Sequence, residues 1–428
     1  MEENLQRDEM KGGSTLKHPP FLHSLQAITS SSSRLVIIGM CKFHFRWKLC
    51  EMSGSMFLFV NGVASPTSAP PVSKLLESYP GAYTTFRTHS NGLEFLFWER
   101  HLRRLATSAR ILFDSCPKLL FRSGINSNSV ALHQMKSLEW DSFIQSSVND
   151  SMKKAIPCAL KERRSETELA FTALMSGNLQ KVVPEERVGE EDIQRIFDMR
   201  LHVSVYAPLV FGVRTNAAHL AVVGNGRQIA NAKYSDWVRL RKPLEKLRPP
   251  SATELLLSND GDQILEGCLT NFFVLCHKDN IEENSGAKEK KLLKSRYDHS
   301  VELQTAPISD GVLPGVVREV VIEVCSGIGI PVREVAPSWS KRHLWEEAFI
   351  TSMSLDQSIR GLDSLRLLQH VETIRVPSSW NSLCSKTWKE VTWEEKRFEE
   401  GPGSITALIQ EEVMKRANLE GNQVASFI

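Results

Sequence analysis

"DGDQILEGCLTNFFVL", residues 260–275, opens on an Asp-Gly turn and runs on through strand-forming residues. Asp-Gly beside an apolar run is a hairpin signal, because these residues tolerate the positive φ of a tight turn. The run carries one anomaly. Glu266 stands between Leu265 and Gly267, a charge followed by the residue that packs worst in a strand. Asn271 lies a few positions on. Taken alone, Glu266 reads as an edge-strand charge; its meaning depends on the rest of the chain.

Outward from this hairpin the pattern is mixed. "HLAVVGNGRQIANAKYSDWVRLRKPLEKL" (219–247) reads as a Gly-rich turn leading into a helix near Ala232. It holds two glycines of a dinucleotide fingerprint but lacks the third, so that motif is not met. "FFVLCH" and "VELQTAP" are strands flanking a charged insertion at 278–300. "DGVLPGVVREVVIEVCSGIGIPVREV" (310–335) predicts a turn, a helix with Val317, Val320, Val321 and Val324 as buried stripe, a stop at Gly327 and a strand. "AFITSMSL" is a strand with a hydroxyl-rich end, and Ser404 is placed to cap a closing helix.

The N-terminal half also alternates strands and helices. Order is expected from "SMFLFVNGVASP", a strand with an Asn-Gly turn; residues 1–51, polar with a serine run, are expected to be a disordered extension. "GAYTTFRTHSNGLEFLFWERHLRRLATSARILF" (81–113) predicts strand, Asn-Gly hairpin, a strand over "LEFLFW" and an amphipathic helix from Glu99. "ELAFTALMSG" and "LHVSVYAPLV" add two strands, and Pro208 opens a connection over 207–216. The expected division is 1–51, 52–207 and 208–428, with no internal repeat.

Composition narrows the function classes. The chain has 428 residues, 41% hydrophobic, enough for substantial cores. A formal net charge of +2 gives nucleic acid no electrostatic footing. The eight cysteines form no CxxC pair, so no zinc or disulfide framework is expected and reduced thiols fit an intracellular protein. The run "LVIIGM" is too short to span a bilayer. A soluble protein without membrane or nucleic-acid partners is expected, cytoplasmic by preference, with a plastid the alternative compartment.

Several weak signals fall in a telling order: H-x-x-R-L (His101–Leu105), Lys233 after a Gly-rich turn, E-G-x-x-x-N-F (Glu266–Phe272), L-P-G-V-x-R (Leu313–Arg318) and T-S-M-S (Thr351–Ser354). Lys233 and Glu266 are 33 residues apart. This series resembles the fold-type IV (class IV) pyridoxal-phosphate-dependent aminotransferase family from about Met56 to the C-terminal helix. Plant branched-chain and D-amino-acid aminotransferase-like proteins are the most similar. "YTTFR" with "MFLFVNG" ahead of it looks closer to the 4-amino-4-deoxychorismate lyases.

The resemblance implies an α+β enzyme of two domains, a smaller N-terminal α/β sandwich and a C-terminal pseudo-barrel, with pyridoxal 5'-phosphate in the cleft. Lys233 would hold the cofactor and move the substrate's proton, since only lysine supplies an amine for both tasks. Glu266 would keep the ring nitrogen protonated, Gly267 would leave room for the flat ring, and Asn271 would support the pocket. Arg104 and the amides of Val316 and Val317 would bind the phosphate, with Ser352 and Met353 alongside. Relatives often carry Thr where this chain has Val317, and Gly-Thr or Ser-Thr where it has Ser352-Met353. Two hydroxyl contacts are then missing unless Thr351, Ser352 or Ser354 supplies them. Tyr83 and Arg87 would face the substrate.

The implied function is transfer of an amino group between a branched-chain or D-amino acid and a 2-oxo acid, in a homodimer and without metal. Two alternatives remain open: a 4-amino-4-deoxychorismate lyase releasing pyruvate and p-aminobenzoate from the same site, and a protein of this fold kept as a binding module.

Overall fold

The computed structural model describes residues 56–121, 138–178, 195–278, 301–353, 367–381, 383 and 387–428. The expected N-terminal extension, residues 279–300 of the insertion and Ser354 lie outside the described residues. Everything below belongs to one compact unit, Ser55–Ile428.

In chain order the first elements are β1 (Met56–Val60), β2 (Val63–Ala64), helix α1 (Val72–Ser78), β3 (Ala82–His89), β4 (Glu94–Phe95), α2 (Trp98–Ser115), α3 (Trp140–Glu162), β5 (Glu168–Gly177) and β6 (Phe197–Tyr206). Asn61 and Gly62 both take positive φ (51° and 75°), as a two-residue hairpin loop requires. The expected strand over "LEFLFW" shrinks to β4. The Leu96 N–H still donates to the Arg87 carbonyl at 3.1 Å, but Phe97 takes φ 51° and the helix begins at Trp98, so the strand goes no further.

The remaining elements are β7 (Ala218–Gly224), α4 (Trp237–Leu240), β8 (Glu254–Ser258), β9 (Ile264–Gly267), β10 (Asn271–His277), β11 (Val301–Thr305), α5 (Val316–Ile328), β12 (Val332–Glu334), β13 (Trp345–Thr351), β14 (Leu368–Pro377), β15 (Trp393–Arg397), α6 (Ser404–Leu419) and β16 (Asn422–Gln423). Three expectations are corrected here. The helix expected near Ala232 starts only at Trp237, because Tyr234 bridges Ala82 and the backbone of Lys233 and Ser235 bonds to Tyr83 and Gly81. Helix α5 runs through Gly327 and stops at Gly329, whose φ of 81° is the left-handed conformation that ends a helix. Ser404 is the first residue of α6 and not its cap. The Glu347 carboxylate from β13 caps instead, accepting the N–H groups of Ile405 and Thr406 at 3.2 and 2.7 Å.

Two sheets result. The first has the order β16-β4-β3-β5-β6-β1-β2, and α2 and α3 bury their apolar stripes on one face of it (Leu105, Leu112, Ile144 and Val148 against Phe86, Phe171 and Leu201). The second follows β12-β11-β10-β13-β14-β7-β8-β9, and a further pairing of β9 with β10 closes β10-β13-β14-β7-β8-β9 into a six-stranded ring. This is the expected α+β architecture with its pseudo-barrel. The pairing that closes the ring is Glu266 with Asn271. Strand β10 is buried on both faces. Phe272 and Val274 join one core with Leu256 and Ile350, while Phe273 and Leu275 join another with α5 and α6. A strand covered on both sides reads as a continuous apolar run, which explains "FFVL".

Candidate active site

Lys233 lies in an irregular segment between β7 and α4, stitched to β3 and α2. The Tyr83 N–H donates to the Lys233 carbonyl at 3.0 Å and the Ser235 N–H to the Gly81 carbonyl at 2.9 Å. The Lys233 N–H donates to Ser108 Oγ at 3.0 Å. These bonds fix the backbone without a helix, and the side chain is buried. Its Nζ lies 4.9 Å from the centre of the Tyr83 ring. Burial disfavours the ammonium, and Arg104, Arg227 and Arg241 repel it against a weaker pull from Glu266. The amine is held well below the usual lysine range, toward its neutral and nucleophilic form.

Glu266 is buried at the seam of the ring. Its Oε1 accepts two N–H groups of Arg227, Nε at 2.9 Å and the adjacent Nη2. Its Oε2 accepts the Leu313 N–H at 2.9 Å, with Asn271 Nδ2 at 3.5 Å. Burial pushes the carboxyl pKa up, while Arg227, the Leu313 N–H and Lys233 pull it back. Arg227, half of what makes this carboxylate tolerable in the core, is absent from the sequence-based site. It sits in "GNGRQIAN", where the glycines drew the attention. The usable signal was chemical: a carboxylate in an apolar strand requires a cation near it.

Asn271 holds the Leu-Pro-Gly turn. Its Nδ2 donates to the Leu313 carbonyl at 2.9 Å, and a Cβ on Gly315 would fall 2.0 Å from its Oδ1. Gly267 lines the recess beside Lys233 and Glu266, and a Cβ there would fall 2.0 Å from Thr270 Oγ1, so the missing side chain admits Thr270.

Two adjoining recesses share Lys233 and Asn271. One is lined by Tyr83, Arg227, Trp237 and Glu266. The other is lined by Arg104, Gly315, Val316, Val317, Thr351, Ser352 and Met353. The second has the chemistry of an anion site. The first N–H groups of α5 have no carbonyl partner within the helix. Arg104 Nε and Thr351 Oγ1 are buried and have no hydrogen-bond partner among the described residues. Burial lowers the Arg104 pKa to about 10, so the guanidinium stays charged at neutral pH. Val317 and Met353 bring no hydroxyl, and Ser352 Oγ donates to the Leu269 carbonyl at 3.4 Å. Thr351 is therefore the hydroxyl at hand. Arg87 is not brought to Lys233. It shares a strand face with Tyr83 but lines a separate recess with His89, Glu168 and Gln369, its Nε buried and without a partner.

Residues 198–355 match the family described as class IV amino-transferases. No curated protein matches the chain. Among solved structures, a branched-chain aminotransferase of Thermoproteus uzoniensis with norvaline is 14% identical, with 87% of this chain and 100% of that one covered at a TM-score of 0.48. The Escherichia coli branched-chain aminotransferase is 15% identical over 86% and 99% of the two chains, with a TM-score of 0.47. An aminotransferase of Brucella abortus bound to the cofactor PLP is 12% identical over 85% and 99%, with a TM-score of 0.48. Among the described residues no helix is long and apolar enough to cross a membrane.

Proposed function

We propose that this chain, whose residues 198–355 match the class IV amino-transferase family, is a member of that family and uses pyridoxal 5'-phosphate to move an amino group between an amino acid and a 2-oxo acid. The observation that carries the reading is Lys233: a buried amine with a depressed pKa, set where a carboxylate recess meets an anion recess. The residues fit the cofactor, because the partnerless Arg104 Nε and Thr351 Oγ1 are the donors a phosphate needs.

When bound, pyridoxal phosphate supplies an aldehyde that condenses with amines and a ring that withdraws electrons from the carbon they bear. Lys233 would hold it and, as a neutral amine, accept and return a proton at Nζ. Glu266, kept in place by Arg227 and the Leu313 N–H, would stand against the ring nitrogen, with Asn271 supporting both. Arg104, the amides of Val316 and Val317 and the Thr351 hydroxyl would bind the phosphate, beside Ser352 and Met353. Tyr83 would bound the substrate next to Lys233. Arg87 is four strand residues further on, roughly 13 Å between Cα atoms, so it serves a substrate carboxylate only where the substrate is long. A branched-chain or D-amino acid is the donor class proposed, and a homodimer the assembly.

The test is direct. Borohydride reduction of the protein with pyridoxal phosphate should place the label on the peptide holding Lys233, and Lys233→Ala should lose it. A screen of amino donors with 2-oxoglutarate then identifies the substrate. A colourless protein that takes no label is a binding module. A labelled protein that yields p-aminobenzoate from aminodeoxychorismate, and no keto acid from any donor, is a lyase.

A further inference from the structure

His101 opens the H-x-x-R-L motif and lines neither recess beside Lys233. It is fully buried on α2, one turn before Arg104. Its Nδ1 lies 3.0 Å from Thr84 Oγ1 and 3.3 Å from Arg104 Nη2. Arg104 Nη2 in turn donates to Thr84 Oγ1 at 2.8 Å. One arrangement of hydrogens satisfies these distances. A guanidinium only donates, so His101 Nδ1 must accept and carry no proton. The Thr84 hydroxyl accepts from Arg104 and passes its own hydrogen to Nδ1, while the second Nη2 hydrogen approaches the same nitrogen.

The surroundings keep the ring neutral. Burial, reinforced by Arg104 and Lys233, holds the imidazole well below its usual pKa, so the ring stays neutral beside the guanidinium. Its Nε2 is buried with no partner among the described residues, which is the cost of leaving Nδ1 free to accept. The Nη2 corner of Arg104 is thereby anchored, and Nε remains unbonded in the recess at the start of α5.

We infer that Thr84 and His101 are positioning residues for Arg104, an acceptor pair that anchors Nη2 of the guanidinium and leaves the neighbouring Nε–H for a phosphate group. This rests on the pyridoxal-phosphate reading of the site. A His101 that only filled the core would support everything around it equally. A positioning pair acts on the phosphate alone, and two ligands separate these roles.

Pyridoxal phosphate and pyridoxal share the aldehyde and the ring and differ in the phosphate. Both are titrated by absorbance into cofactor-stripped wild type, Thr84→Val, His101→Leu and His101→Asn. Thr84→Val and His101→Leu should weaken pyridoxal phosphate roughly tenfold, the scale of one hydrogen bond to a charged group, and leave pyridoxal affinity unchanged. His101→Asn, whose amide oxygen can replace the Nδ1 acceptor, should retain pyridoxal phosphate. Thr84→Val is close to isosteric and keeps the test decisive if His101→Leu fails to fold. Equal losses of both ligands, an unaffected Thr84→Val, or a His101→Asn as weak as His101→Leu would each overturn the assignment. Wild type that binds neither ligand overturns the cofactor reading itself, and this assignment with it.

Discussion

At the scale of single residues, the Glu266–Arg227 pair decides the chemistry of the ring seam. Both side chains are buried, 1% and 5% exposed, so neither charge is tolerable without the other. Arg227→Leu should therefore cost the apo protein about 3–5 kcal/mol, read as a lower urea midpoint. Arg227→Leu with Glu266→Leu should recover much of that loss, because a well-packed apolar pair replaces both charges. Stability that Arg227→Leu leaves unchanged would mean that Glu266 is carried protonated in the fold. Glu266 was legible in the sequence as an anomaly, whereas Arg227 was not. A charge in an apolar strand stands out against its neighbours, but an arginine in a Gly- and Asn-rich loop looks like any solvated cation.

At the scale of elements, the turn before α5 shows how short motifs become geometry. Leu313 gives its N–H to Glu266 and its carbonyl to Asn271, so the turn is tied to both sides of the β9–β10 seam. Gly315 is required there because its α-hydrogen leaves room for the Asn271 side chain. Gly315→Ala should displace Asn271 and cost about 1–3 kcal/mol for its broken bond, seen as a lower melting temperature and weaker cofactor loading. Asn271→Ala in the same chain should add little, since the clash and the bond vanish together. An unchanged melting temperature for Gly315→Ala would show that the turn yields freely. Local periodicity made α2 and α5 readable, because a stripe of apolar residues every three or four positions survives any tertiary context. It misplaced α4 and the cap of α6. There the deciding bonds come from β3 and from Glu347, far away in the chain.

At the scale of the whole described unit, buried titratable groups set the response to pH. His202, on β6, meets the Pro70 carbonyl through Nε2 at 2.9 Å, and burial lowers its pKa to about 4. Between the usual histidine value near 6.5 and about 4, the unfolded chain binds a proton that the fold refuses. His202 thus costs stability as pH falls, on the order of 3 kcal/mol in full. Glu254 opposes it, for burial raises its pKa to about 7 and its contribution is lost as pH rises toward that value. The difference between wild type and His202→Gln isolates the first effect: the variant's urea midpoint should fall less between pH 7 and pH 5. Equal falls would place His202 outside the acid response. What the sequence alone determined was the set of chemical groups, their order and the α+β alternation, since propensity, turn residues and motif spacing are local quantities. Only the tertiary structure decided that Glu266 and Asn271 close a six-stranded ring, that Arg227 meets Glu266 and the Thr84–His101 pair meets Arg104, and that Arg87 lines a recess apart from Lys233. It also returned the C-terminal β16 to the first sheet beside β4. Each of these depends on strand register and on contacts between residues distant in the chain, and a local pattern carries no record of which distant residue will be its neighbour.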